Sequence, residues 1–93
     1  MKFEWDLAKE LSNREKHGVG FEEASTVFGD RFALSWLDQV HSEAEFRTLT
    51  VGYTARQRLV IVAHTDRGDR IRIIAARPAT RAEEELYASG EGR

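Results

Sequence analysis

Residues 2–5 alternate polar and apolar, with Phe3 and Trp5 on one side, and this predicts a short strand. Asp6 is a good helix N-cap, and Leu7 and Leu11, four apart, give one apolar face to a helix that Gly18 is placed to end in the left-handed conformation. Lys9, Asn13, Lys16 and His17 recur at i, i+4, i+7 and i+8 and are expected on the opposite, polar face. A second helix follows at once, with Phe21, Ala24, Val27 and Phe28 as its apolar face and Gly20 as its cap. Glu22 and Glu23 suit the positive end of its dipole, and Gly29 and Asp30 close it.

From residue 31 the period falls to two. Phe32, Leu34 and Trp36 alternate with smaller residues up to Asp38, giving one strand, and residues 40–45 are polar and read as a loop. Arg47, Leu49, Val51 and Tyr53 then share one face of the next strand, with Phe46, Thr48 and Thr50 on the other. Residues 54–57 turn the chain. Residues 58–65 hold the unbroken apolar run Leu59, Val60, Ile61, Val62, Ala63, which predicts a central strand covered on both faces. Asp66, Arg67, Gly68 and Asp69 form a hairpin turn into a partner strand over residues 70–77. Strict alternation puts Ile71, Ile73 and Ala75 on one side of that strand and Arg70, Arg72 and Ile74 on the other, with Pro78 ending it. Thr80 and Glu83 have capping-box spacing and open a last helix to about Ser89, beyond which Gly90 and Gly92 mark a tail expected to fray. The expectation is one α+β domain over residues 1–93: two N-terminal helices, an antiparallel meander and a C-terminal helix.

Composition narrows the function. The 93 residues are 41% apolar and 32% charged, enough apolar content for one modest core and too little length for a second. The longest apolar run has five residues, far short of the roughly 18 needed to span a membrane. Glu4 and Asp6 are out of place in a signal peptide, so a cytoplasmic protein is expected. Without cysteine there is no disulfide, no thiolate metal site and no thiol nucleophile. Three scattered histidines lack the spacing of a zinc site, and no glycine-rich phosphate loop occurs, so neither metal nor cofactor is expected. Arg67, Gly68 and Asp69 spell an adhesion tripeptide that is read here as a turn.

The net charge of −2 conceals a division. Residues 1–46 carry a net −5, residues 82–93 a net −3, and residues 47–81 a net +6 from eight arginines against Asp66 and Asp69. Arginine is the cation whose planar fork best matches phosphate, so this block is either a surface for a polyanion or a set of strand residues paired with the flanking acids.

The residues Phe3-Glu4-Trp5-Asp6, Lys9, Asn13, Lys16-His17-Gly18-Val19 and Phe21-Glu22-Glu23-Ala24 resemble the start of the BrnT family of type II toxin–antitoxin toxins. Glu45-x-Arg47, Gly52, Val62-Ala63-His64-Thr65-x-Arg67, Arg72-Ile73-Ile74-x-Ala76-Arg77 and the stretch from Glu83 to Tyr87 extend the likeness over residues 3–87. Gly20 departs from it, since serine is usual there; this weakens a cap and leaves the chemistry untouched. The resemblance implies a RelE-like fold and a metal-independent endoribonuclease that cuts RNA and arrests growth. It also implies a neighbouring BrnA-type antitoxin with a ribbon–helix–helix domain, which would provide the only, indirect, link to operator DNA.

Metal-free cleavage needs a base for the 2′-hydroxyl, a cation for the pentacoordinate phosphate and an acid for the leaving 5′-oxygen. Arginine supplies the cation, so proton transfer falls to Lys16, His17, Glu45, His64 or Tyr87. Each has a plainer reading. Lys16 and His17 suit a helix C-terminus electrostatically, and Glu45 and Arg47, two apart, either form an exposed ion pair or make Arg47 a phosphate contact oriented by Glu45. His64 shares a face with Asp66 at a strand end, where it either titrates or is a satisfied structural residue. Arg67 at the hairpin and Arg77 before Pro78 project from rigid positions, and Arg77 carries a specific part of the family pattern. Tyr87 closes the site or packs its ring on the sheet. A non-catalytic module that binds a protein or nucleic acid through the same arginines remains the alternative.

Overall fold

The structure, a computed structural model, describes residues 1–41 and 45–90; positions 42–44 of the expected loop and the tail at 91–93 lie outside it. The chain runs β1 (Lys2–Glu4), α1 (Leu7–His17), α2 (Phe21–Ser25), a 3₁₀ turn (Thr26–Gly29), β2 (Leu34–Leu37), β3 (Thr48–Tyr53), β4 (Leu59–Arg67), β5 (Arg70–Pro78) and α3 (Arg81–Ser89). The strands form one sheet in the order β1-β5-β4-β3-β2. β2 to β5 make the expected antiparallel meander. β1 joins the far edge parallel to β5, so the sheet is mixed, and the two N-terminal helices carry the chain across one face from one edge to the other.

Local signals set the element ends. The Asp6 carboxylate accepts the Lys9 N–H at 3.0 Å, and Gly18 leaves α1 with φ 72°. Thr80 and Glu83 make the reciprocal capping box, and Gly68, with φ 64°, opens the hairpin turn between β4 and β5. The helix expected over residues 21–28 forms in two pieces, α2 tightening into the 3₁₀ turn after Ser25.

Helix α1 is turned over relative to its sequence pattern. Leu7 and Leu11 are 67% and 54% exposed, while Glu10 and Asn13 are buried. Polar groups win the inward face because each meets backbone there. Glu10 Oε2 accepts the Phe21 N–H at 3.3 Å and is paired with Arg14 at 2.7 Å. The Asn13 carboxamide bonds the carbonyls of Val19 and Ala76 and the Ala76 N–H. The apolar core of this layer comes instead from Val19, Phe21, Ala24 and Val27 against Val60, Val62, Ile73 and Ala76 of the sheet. On the other face α3 covers only part of the sheet, where Leu86, Tyr87 and Ala79 pack on Leu34, Val51 and Ile61. Val60, Ile61 and Val62 are all buried, as a central strand requires.

Glu23 ties the α2 start to the β3–β4 turn. Its carboxylate takes Arg58 Nε at 2.9 Å, Arg58 Nη2 and the Thr54 hydroxyl at 2.8 Å, and Arg58 also donates to the Gly18 carbonyl at 2.9 Å. The Arg58 hydrogen bonds hold the Glu23 carboxyl below the usual carboxylate range, against the opposing effect of burial. The native state therefore holds fewer protons than the unfolded chain in acid. The stabilisation is complete above the unfolded value, about 4.3, and is lost as pH falls through the lower folded value. Glu23→Gln is expected to cost about 1.5 kcal/mol at pH 7. The melting-temperature gap to the unsubstituted protein should narrow as pH approaches 3; a gap of constant size would show that the charge is not responsible.

Candidate active site

The uncovered part of the second sheet face is the candidate site, and a β-bulge decides what stands on it. Val62 and Ala63 pair with Ala76 and Ala75, but His64 pairs with Ile73, so Ile74 is an extra residue on β5. Strict alternation would have placed Ala75 and Arg77 with Ile71 and Ile73, beneath the helices. The bulge shifts the phase: Ile73 and Ala76 share the helix-covered core, whereas Ala75 and Arg77 lie beside Ala63 and Ile61 on the opposite face. There Leu49, Ile61, Ala63, Ala75, Ala76, His17 and Arg77 line an open groove of about 180 Å³. That is smaller than the roughly 300 Å³ at which drug-sized pockets begin, a size suited to one segment of a chain-like substrate.

His17 reaches this groove because α1 ends at the β5 edge that β1, paired only through Arg72, leaves uncovered. Arg77 is fixed from the other side. Its Nη1 and Nη2 donate to Glu83 Oε1 at 2.7 Å and Oε2 at 2.9 Å, a two-pronged pair. Glu83 is itself held in the α3 capping box, accepting the Thr80 N–H at 2.8 Å. The Arg77 hydrogen bonds hold the Glu83 carboxyl below its usual range, against burial. The groove thus has an aliphatic floor, a permanent cation in a preset orientation and one imidazole. Such a site can hold a phosphodiester, stabilise added negative charge on it and exchange a proton.

The other expected residues lie elsewhere. Lys16 is exposed beside His17 in the last turn of α1. Glu45 bonds Arg67 at 3.0 Å rather than pairing with Arg47, and Arg67 is six residues from Ile61, the β4 partner of Arg77, or ~20 Å at roughly 3.3 Å per strand residue. Arg47 is half-buried one residue before β3, and its carbonyl accepts the Asp38 N–H at 2.8 Å. His64 is 4% exposed on the helix-covered face, with Phe28 edge-on at 4.9 Å and Nε2 bonded to the Thr50 hydroxyl at 2.8 Å. Burial lowers its pKa and the Asp66 carboxylate, 3.4 Å from Nδ1, opposes that only in part, so the ring is neutral at pH 7. The Tyr87 hydroxyl donates to Asp30 Oδ2 at 2.6 Å, an oxygen that also accepts the Tyr53 N–H at 2.8 Å, which anchors α3.

The charge blocks of the sequence meet in space. Arg56 and Arg58 face Glu23, Arg67 faces Glu45, Arg70 and Arg72 face Glu4, Arg77 faces Glu83 and Arg81 faces Glu85. Pairing with the flanking acids, the plainer of the two readings, holds for these arginines. Where both partners are exposed, as in Arg67 with Glu45 and Arg81 with Glu85, such a pair is worth little. Glu23 and Glu83 are largely buried, and their pairs with Arg58 and Arg77 hold the side chains in place. Two residues that hold members of the groove in place are absent from the expected set. Glu83 was visible as a cap but not as the partner of Arg77, and Asn13 has no local signal, since Ala76 is 63 positions away.

Among the described residues no helix is long and apolar enough to cross a membrane. The sequence profile of the ribonuclease toxin BrnT of type II toxin–antitoxin systems matches residues 5–83. A search of curated protein sequences gives no match. Among solved structures the chain is similar to the crystal structure of the Brucella abortus ribonuclease toxin BrnT, with 23% identity and a TM-score of 0.66 over 87% of this chain and 99% of that one. At that identity the likeness speaks for the fold, three helices and a mixed five-stranded sheet; the profile, spanning most of the chain, speaks for the family. The chain belongs to the BrnT family, the ribonuclease toxins of type II toxin–antitoxin systems.

Proposed function

We propose that this toxin cleaves RNA without a metal ion, by attack of a 2′-hydroxyl on the adjacent phosphate in the groove between His17 and Arg77. The observation that carries this reading is the meeting of His17 with a guanidinium already oriented by Glu83 on an otherwise open sheet face. The 2′-oxygen forms its bond to phosphorus and the bond to the 5′-oxygen breaks. The 2′ proton passes to His17, a solvent water protonates the leaving oxygen, and the hydroxide so formed takes the proton back from His17. Arg77 stabilises the charge of the pentacoordinate phosphate. The described residues gather no set of three or more His, Asp or Glu side chains that could hold a metal ion.

A type II toxin has an antitoxin partner, and we take it to be of the BrnA type with a ribbon–helix–helix domain, so that operator DNA is met only through it. Leu7, Leu11, Leu37, Val40 and Phe46 are exposed and give this chain apolar surface for a protein partner. The site of action is the cytoplasm, in keeping with an RNA substrate, and residues 1–93 act as one domain.

The test is a short defined RNA incubated with the purified chain in excess EDTA. Cleavage leaving a 2′,3′-cyclic phosphate and a 5′-hydroxyl is expected, with growth arrest on induced expression that the co-expressed antitoxin relieves. RNA that is bound and left intact in the presence and absence of magnesium would overturn the catalytic reading in favour of a non-catalytic module.

A further inference from the structure

We propose that Asn13 is a positioning residue for RNA cleavage, acting by fixing His17 against Arg77. This rests on the reading of their groove as the cleavage site. β1 pairs with β5 only as far as Arg72, which leaves the outer edge of β5 at Ala76 without a strand neighbour. The Asn13 side chain takes that neighbour's place. Its Oδ1 accepts the Ala76 N–H at 3.1 Å and its Nδ2 donates to the Ala76 carbonyl at 2.7 Å, so one carboxamide makes both bonds that a paired strand residue would make. The second proton of Nδ2 goes to the Val19 carbonyl at 2.9 Å, just past the left-handed turn that ends α1. Both amide protons and the amide oxygen are thereby used in a site only 8% exposed.

Each end of this staple adjoins a groove residue. Ala76 immediately precedes Arg77, and Asn13 stands one helical turn before His17 on the same side of α1. The apolar contacts of α1 give no such register, because Leu7 and Leu11 face away from the sheet. A slide or roll of α1 along β5 would carry His17 from the phosphate that Arg77 holds. Displacements of about 1 Å cost about 100-fold in rate where catalysis depends on alignment.

The test is a double-substitution cycle of Asn13→Ser and His17→Ala on the full chain. Cleavage of one RNA is followed under single-turnover conditions, at a temperature where circular dichroism shows every variant folded. Asn13→Ser is expected to lower the chemical rate constant by about 10- to 100-fold, with half-saturation by RNA within about threefold of the unsubstituted protein. In the His17→Ala background the same substitution should cost less than about threefold, since there is no imidazole left to misplace. Asn13→Asp, which keeps the Ala76 N–H acceptor and loses both donors, goes through the same cycle and decides the matter if the serine variant does not fold. Equal losses with and without His17 would make Asn13 merely structural and overturn the proposal. If His17→Ala cleaves at the unsubstituted rate, the reading of the groove fails, and the proposal fails with it.

Discussion

Arg77→Ala lowers the rate of RNA cleavage by about 100- to 1,000-fold, the usual cost of removing one preorganised donor from a developing oxyanion. The size of the effect follows from how Arg77 is held. Its fork lies on Glu83, and Glu83 is fixed by the α3 cap, so the guanidinium needs no reordering when phosphate arrives. The substitution has a second consequence that must be separated from the first. The Glu83 side chain, only 16% exposed, loses its partner, at a cost of about 1–3 kcal/mol in stability. Combining Arg77→Ala with Glu83→Gln removes the orphaned charge and should return most of that stability while cleavage stays low. Arg77→Lys keeps the charge and loses the fork, and should fall between the two. Full cleavage by the double variant would place the phosphate elsewhere on the sheet.

How much of this site could be read from the sequence depends on the range over which each residue is fixed. Asp6, Gly18 and the pair Thr80 and Glu83 act within one turn of chain, and their caps form as their spacing predicts. The Ile73, Ile74, Ala75, Ala76 run offers four apolar residues and no alternation, so the phase of β5 is open there. The bulge at Ile74 settles it, and that one extra residue puts Arg77 on the open face. The orientation of α1 departs from its sequence pattern for a similar reason. Two leucines four apart outweigh Glu10 and Asn13 on any scale of hydrophobicity. The carboxylate and carboxamide nevertheless turn inward, because the Phe21 N–H and the Ala76 backbone need partners that leucine cannot supply. The arginine block shows the same limit. Its count was plain in the sequence, but its pairing with Glu4, Glu23, Glu45 and Glu83 depends on which strands become neighbours.

Phe21→Ala should unfold much of the protein at temperatures where Arg77→Ala stays folded. Phe21 is fully buried at the centre of the helix-side core, with Val19, Ala24 and Val27 around it, sheet residues Val62 and Ile73 below, and Trp5 edge-on at 6.1 Å. Removing a buried phenyl ring costs about 3–5 kcal/mol, because the neighbours only partly close the cavity. A domain of this size has about 5–14 kcal/mol in all, and each kcal/mol moves its melting temperature by about 4–8 °C. A fall of about 15 °C or more by circular dichroism is therefore expected, against little change for Glu22→Ala on the exposed neighbour. In a growing culture both Phe21→Ala and Arg77→Ala would relieve growth arrest, by opposite routes. The first lowers the amount of folded toxin, so cooling restores cleavage per molecule, whereas the second lowers cleavage at every temperature. A Phe21→Ala protein that melts within a few degrees of the unsubstituted chain would mean that α2 does not close the core against β4 and β5. The register that brings His17 to Arg77 would then need another anchor than the packing beneath it.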